Sequence, residues 1–310
     1  MKFYNLFVCF RIFVFMSLGI SAIPHYYCIP ADAKHFHILK NLIGSIHKED
    51  FKDLGEIAIF DLGFNQVQRS ELARMEKVKV YDVEMTHPDL LRPFQTHLNG
   101  RRVRGFFAWK PVIIKQALDK FPYILYIDAG STILKSLDDF FEHIEEHGYF
   151  LLSGTKGAIG CQVNRITKPV VDRIVKKRPV AEQMLILSEN SYQIDAGLQG
   201  LSRKMLDNYV MPMYQHSKEL DLFEDDGTAK FGYGEGRHDQ TLFTVYALCL
   251  KLHIYDEGWL NLSIRGKAIP VHIHWDKKTL NENTVIYRSR HDIKFQGGKT
   301  KFIKYNGRRI

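Results

Sequence analysis

The 310-residue chain is 45% hydrophobic, 13% aromatic and 25% charged, with 43 Lys and Arg against 35 Asp and Glu for a formal charge of +8. So much apolar material excludes a disordered chain, and 22 Gly with 10 Pro excludes collagen-like and low-complexity classes. The basic excess fits nucleic acid, an anionic membrane or phosphorylated small molecules. Lys2 and Arg11, together with six basic residues from Lys294 onward, account for all of it, because neither stretch holds an acid. Residues 23–293 are therefore neutral, which argues for no nucleic-acid partner.

In chain order, Lys2 and Arg11 flank a mixed apolar run, and the small residues Gly19, Ser21 and Ala22 precede Pro24. This predicts a secretory signal over residues 1–22, with a membrane anchor as the competing reading because residues 3–23 are long enough to span. Arg11 counts against the anchor, since a charge near the bilayer centre costs about 2.5–3.5 kcal/mol. A short strand is expected at 26–29, closed by Pro30. Asp32 then caps a helix with Phe36, Ile38, Leu39, Leu42 and Ile43 on one side. A strand at 56–60, a helix at 66–75 and a strand at 78–83 complete a βαβαβ pattern, which predicts a parallel sheet with helices on both faces.

A basic loop at 101–105 precedes Trp109-Lys110-Pro111, where proline in the first turn opens a helix that Pro122 ends. Residues 123–127 are apolar throughout, as a central strand buried on both faces requires. Ser136 is expected to cap the next helix, followed by a strand at 149–152, helical stretches on either side of Pro179, and a strand at 192–194 running into Asp195-Ala196-Gly197. The loop at 221–236 is rich in Gly and acid and lacks periodicity; loops of that length are commonly functional. Asp239-Gln240 opens an apolar helix, and 269–274 is a late strand. Cys9, Cys28, Cys161 and Cys249 show no zinc spacing and read as single thiols.

The chemistry-bearing feature is Asp128 at the end of a central strand, beside Ala129 and Gly130. Open parallel sheets bind ligands outside the carboxyl ends of their strands, and a carboxylate there can coordinate a divalent ion that neutralises a diphosphate. The bland alternative is a turn or cap Asp. Its company favours the first reading. Asp128-Ala129-Gly130 resembles the Asp-x-Asp region of GT-A fold glycosyltransferases, which use nucleotide-diphospho-sugars. Asp32 with Phe36 is similar to the family 8 pattern that holds the nucleobase. Asp195-Ala196-Gly197 resembles the Asn-Ala-Gly block facing the sugars, and Asp239-Gln240 the Asp-Gln pair beside the donor sugar. His272-Ile273-His274 and Lys277 stand where those enzymes place a metal-ligating His and a phosphate-binding Lys. Asp61-Leu62-Gly63 and Ala108-Trp109-Lys110-Pro111 look more like a related, less characterised branch.

The resemblance implies a GT-A-like α/β domain over 23–293, followed by a basic tail at 294–310. It also implies sugar transfer from a nucleotide-diphospho-sugar to a glycan, protein or lipid acceptor. It implies Asp195, Asp239 and Gln240 as catalytic residues and Asp32, Phe36, Trp109, Lys110, Ala129, Gly130, Gly197 and Lys277 as substrate-binding residues. Asp128, His272 and His274 are the implied ligands of Mn²⁺ or Mg²⁺. Two departures bear on this: Gly130 replaces the second acid of Asp-x-Asp, and Asp195 replaces Asn. A non-catalytic nucleotide-sugar or glycan binding protein on the same fold is the rival that Gly130 keeps open. His143-Ile144-Glu145-Glu146-His147 matches an inverted zinc-peptidase motif literally but reads better as the polar side of a helix. Gly298-Lys299-Thr300 lacks the earlier glycine of a P-loop. Asn261-Leu262-Ser263 is a glycosylation sequon, in keeping with a secreted, Golgi or endoplasmic reticulum location. The basic tail reads most simply as an exposed end, or else as a flap meeting diphosphate or an anionic membrane.

Overall fold

The structure is a computed structural model and describes residues 23–95, 102–154, 157–158, 160–255, 259–264, 267–274, 280–289 and 298–307. The leader at 1–22 and Lys277 lie outside the described residues, as do the side chains of Asn261, His272 and His274.

Strands β1 (His25–Ala31), β2 (Leu54–Asp61) and β3 (Val78–Asp82) run parallel, joined through α1 (Phe36–Glu49) and α2 (Gln66–Leu72). The expected basic loop is a small hairpin of β4 (Pro93–Gln95) and β5 (Arg102–Arg104). Helix α3 (Trp109–Lys120) then feeds β6 (Tyr123–Ile127), which returns beside β1 and parallel to it. After β7 (Thr132–Ile133), α4 (Asp138–His147) and β8 (Tyr149–Ser153) come three short helices, α5 (Gln162–Arg165), α6 (Lys168–Arg173) and α7 (Val180–Ile186). They precede β9 (Ile194–Ser202), α8 (Met211–His216) and α9 (His238–Cys249). The last strands are β10 (Trp259–Ile264), β11 (Lys267–His274) and β12 (Thr284–Tyr287).

The main sheet has the order β3-β2-β1-β6-β9-β8, with the first four strands parallel and β9 antiparallel to both neighbours. A second sheet has the order β10-β11-β12-β7. Two apolar cores cover the main sheet. Cys28, Ala58, Phe60, Ile124 and Tyr126 face α3 and α9, whereas Tyr27, Ile29, Ile57, Ile59, Leu125 and Ile127 face α1 and α4. The alternation follows from the two-residue period of a strand, and it explains why β6 is apolar at every position. The expected α/β class, a mostly parallel sheet with helices on both faces, is what the chain forms. Among the described residues, no helix is long and apolar enough to cross a membrane.

Several local expectations give way. Strand β1 does not close at Pro30 but runs on to Ala31, with Pro30 paired to Phe60. On the β6 side its register pairs Tyr27 and Cys28, so the missing N–H of Pro30 falls beyond that pairing. Asp195-Ala196-Gly197 is not a loop after a strand; it lies inside β9, buried at all nine positions. The α4 N-cap is Leu137, while Ser136 Oγ accepts from Asp138 N at 3.3 Å.

The described part of the basic end packs against the fold. Residues 298–307 dock along α1 and reach the turn between α2 and β3, where Glu76 N donates to Lys304 O and Asn306 N to Arg74 O. Asn41 Oδ1 accepts from Lys299 N and His47 Nδ1 from Lys304 N. A methyl on Gly44 would sit 2.1 Å from Lys299 O, so α1 has glycine where the strap crosses it.

Candidate active site

Strand order reverses between β1, which hands on to β2, and β6, which returns on its other side. A ligand crevice is expected there, outside the carboxyl ends. A cleft of about 590 Å³ opens at this point. Pro30, Ala31 and Asp32 line it from the end of β1, Leu62 from the end of β2, and Asp128, Ala129 and Gly130 from the end of β6. The β4–β5 hairpin contributes Arg102, Val103 and Arg104. Four cationic side chains, Lys34, Arg102, Arg104 and Arg288, line the cleft against two carboxylates, Asp32 and Asp128.

At one end Asp32 Oδ1 accepts from His35 N at 3.1 Å and pairs with His35 Nδ1 at 2.7 Å, while Arg104 Nε stands 3.4 Å from Oδ2. Burial works against the charge of Asp32, but the His35 and Arg104 contacts outweigh it and bring the carboxyl down to about 2. Asp32 is therefore an ionised acceptor at the mouth.

At the other end, Asp128 stands between two cations. Lys110 Nζ is 4.0 Å from Oδ1 and Arg288 Nη2 is 3.7 Å from Oδ2, and Tyr126 donates its hydroxyl to Oδ1 at 2.7 Å. Two buried acids stand behind these cations. Asp239 Oδ2 pairs with Lys110 Nζ at 2.7 Å, and Asp195 Oδ1 lies 3.5 Å from Arg288 Nη2 while accepting from Gly197 N at 2.9 Å. Burial pushes Asp239 up to about 6 against the pull of Lys110. Burial raises Asp195 as well, with Arg288 opposing. For Lys110, burial disfavours the charge, but Asp128, Asp239 and Asp195 together hold its ammonium above the usual lysine range. Gly197 is what lets these groups meet: a Cβ there would lie 2.2 Å from Arg288 Nη2 and 2.5 Å from Asp128 Oδ2. Arg288 Nη1 also donates to Gly197 O at 2.7 Å.

Backbone strain concentrates beside the cleft. Gly105, Phe106 and Phe107 have φ of 46°, 49° and 66°, and His238, whose ring packs on both phenylalanines, has φ of 47°. A non-glycine residue in such a region costs on the order of 1–3 kcal/mol and persists where the surroundings over-determine it. Here the knuckle turns Phe107 and Trp109 into the cleft, with Trp109 Nε1 donating to Arg104 O at 3.1 Å.

Of the residues expected from the sequence, Asp32, Trp109, Asp128, Ala129 and Gly130 line the cleft, and Lys110 lies buried beneath it. Gly197, Asp195 and Asp239 do not line it; they stand behind Asp128, Lys110 and Arg288. Gln240 is set aside, its Nε2 next to Gly154. Phe36 does not line the cleft; its ring packs edge-on against Phe64 under Lys40, because it begins α1 on the core-facing side. Arg288, Arg104, Arg102 and Lys34 were missed. They belong to no motif, and Arg288 arrives only because β12 pairs with β7, which follows Asp128 by a short turn.

Among the described residues, the donors at Asp128 amount to one carboxylate, already held by Tyr126, Lys110 and Arg288; that is not a metal-ligand set. Gly130 supplies no second acid, and the histidine side chains expected to join Asp128 lie outside the described residues. One trio among the described residues has spacing compatible with a divalent metal: His25, Asp50 and Asp138, with ligand atoms within 4.8 Å of one another. It sits at the amino end of β1, opposite the cleft. The zinc-peptidase pattern resolves into a buried His143 packed on Phe150 and Tyr255, with His147 exposed beside it.

No protein-family model matches the chain, and no curated protein matches it in sequence. Some solved structures are similar to it at low scores. Mouse xyloside xylosyltransferase 1 in its apo form is 12% identical at a TM-score of 0.46, over 86% of this chain and 97% of that one. The galactosyltransferase LgtC in complex with donor and acceptor sugar analogues is 13% identical at 0.44, over 75% and 73%. The mannosyltransferase Ktr4p from S. cerevisiae in complex with GDP is 10% identical at 0.45, over 75% and 69%. At 10–13% identity and TM-scores below 0.5 these likenesses assign no family, and they leave the family 8 resemblance where the sequence put it.

Proposed function

We propose that the chain is a glycosyltransferase that transfers a sugar from a nucleotide-diphospho-sugar. The observation that carries this reading is the cleft at the strand-order reversal, where four cations stand against two carboxylates. That excess matches the two negative charges of a diphosphate. The volume of about 590 Å³ suits a nucleotide-sugar.

In this reading Asp32, ionised and rigidly held, accepts hydrogen bonds from the nucleoside, and the arginines of the hairpin meet the diphosphate. Transfer forms a bond from an acceptor hydroxyl oxygen to the sugar's anomeric carbon as the bond from that carbon to the terminal phosphate oxygen breaks; the hydroxyl proton passes to the departing nucleoside diphosphate, on which negative charge develops. Arg288 is the lining cation that stabilises that charge. Asp195 and Asp239 become positioning residues, the first for Arg288 and the second for Lys110, instead of the catalytic residues that the resemblance implies. Lys110 holds Asp128 and Ala196 O in place, through Nζ at 4.0 and 3.2 Å. Mn²⁺ or Mg²⁺ would add Lewis-acid neutralisation of the diphosphate, and the arrangement around Asp128 requires His272 or His274 to complete any such site.

The test is turnover of a panel of nucleotide-sugars, alone and with glycan, peptide and lipid acceptors. We expect donor cleavage that Asp128→Ala and Arg288→Ala each lower by about a hundredfold or more. Nucleotide-sugar binding without turnover across the panel would assign the binding-protein reading instead. Repeating the assay in chelator divides the work between cations: a loss above a hundredfold would give the larger share to a metal. The secretory location is proposed from the leader and the sequon, and N-terminal sequencing of the mature protein checks it.

A further inference from the structure

We infer that Phe231 and Tyr233 form a platform for the acceptor, and that the acceptor it takes is a saccharide. This rests on the glycosyl-transfer reading and names the partner that reading leaves open.

Large aromatic rings are normally covered, yet Phe231 is 47% and Tyr233 45% exposed. They sit two residues apart on the irregular stretch before α9, alternating with Gly232 and Gly234, whose φ values of 86° and 95° suit glycine. The stretch is pinned from beneath. Asp225, 3% exposed, accepts from Gly227 N at 3.2 Å and Gly234 N at 2.5 Å. Arg165, 2% exposed, donates to Glu235 O at 3.2 Å and to the Glu235 carboxylate, and its guanidinium lies 5.6 Å from the Phe231 ring. Two buried charges thus hold two exposed rings in fixed places, which lowers the ordering entropy that a ligand must overcome.

The platform is continuous with the donor cleft. Tyr233 donates its hydroxyl to Gln95 O at 3.3 Å, and Gln95 pairs across the hairpin with Arg102, which lines the cleft. Tyr233 is thus tied to the hairpin strand that pairs with the one carrying Arg102. A second path runs through His238, two residues past the stretch, whose ring meets the cleft-lining Phe107 at 5.5 Å. A flat ring with a polar tip matches the chemistry of a sugar, whose axial C–H groups make an apolar face ringed by hydroxyls. A peptide or lipid acceptor would need a groove or an apolar channel, which two rings on a glycine-spaced stretch do not make.

The test uses the full chain with maltohexaose, cellohexaose and xylohexaose as probes, measuring binding by titration and transfer by KM. At least one should bind. The Phe231→Ala, Tyr233→Ala double variant should weaken it tenfold or more, while UDP and GDP affinity and the melting temperature stay unchanged; Phe231→Trp should retain it. If no saccharide binds, or binding survives the double variant, the inference is overturned. Platform-dependent transfer to a peptide or lipid instead would overturn the saccharide class. Because binding is read without turnover, a failure of donor cleavage alone bears on the proposed function and not on the platform.

Discussion

The two ends of the central strands hold similar chemical ingredients and put them to opposite uses. At the amino end of β1, His25 Nδ1 pairs with Asp50 Oδ2 at 2.8 Å, Tyr27 donates to the same carboxylate, and Asp138 stands 3.6 Å from His25 Nε2. At the carboxyl end, Lys110 and Arg288 knit Asp128, Asp195 and Asp239 together. Both join acids to basic groups, and each leaves one acid part-exposed, Asp138 at 56% and Asp128 at 40%. The difference is the cleft. His25 is stacked on Phe141 at 4.1 Å and Asp50 is sealed, so the amino-end cluster ties β1 to the turns after α1 and before α4. Asp128 keeps 40% of its side chain exposed and faces a cleft. Acid–base chemistry alone does not make a site; an opening to solvent at the strand-order reversal does.

The contrast breaks first at Arg288. Arg288→Ala should lower donor turnover by about 10²–10³-fold, the loss usual for one preorganised charge-stabilising donor. A fall of less than tenfold in kcat would remove the functional distinction between the two ends. The variant also strands Asp195, so its melting temperature should drop, whereas Arg288→Lys should recover part of both.

Acid sharpens the structural side. Burial holds His47 and His143 at about 4, against 6.5 for exposed histidine. Below 6.5 the unfolded chain takes up protons that the folded chain refuses, so stability falls as pH drops toward 4, by up to about 3 kcal/mol per histidine. Asp239 opposes this, because its raised carboxyl takes up a proton on the folded side near pH 6. Urea midpoints from pH 7 to 4 should decline in the wild type and more steeply in Asp239→Asn; a flat profile would contradict both assignments.

Asp50→Ala should cost about 1–3 kcal/mol, because it leaves the His25 and Tyr27 donors buried without a partner. Its nucleotide affinity should match wild type, and a tenfold loss there would show that the amino end reaches the site. Effects of the same size come from two alanines. Gly197→Ala, crowding Arg288 and Asp128, and Gly44→Ala, crowding the C-terminal strap, should each cost about 1–3 kcal/mol. Only the first should weaken nucleotide binding, and calorimetry on both variants checks that asymmetry.

Much of this was legible in the chain. Strands β2, β3 and β6 and helix α1 follow from local periodicity, and Asp128 stood out because an acid after an all-apolar strand has one natural place in a parallel sheet. Phe36 misled because an aromatic one turn into a helix reads the same whether it faces a ligand or the core. Ser136 misled for a similar reason, a capping residue placed one step early.

What the sequence by itself determined is therefore the α/β class, the parallel run of strands and the acid at the central strand's end, because period and turn chemistry act over a few residues. Only the tertiary structure decided that β9 runs antiparallel with Asp195 inside it, that the basic end docks on α1, and that Arg288 reaches Asp128 from 160 residues away. Those outcomes depend on which strands pair and which glycines permit close approach. Such contacts join residues far apart in the chain, and no local pattern encodes them.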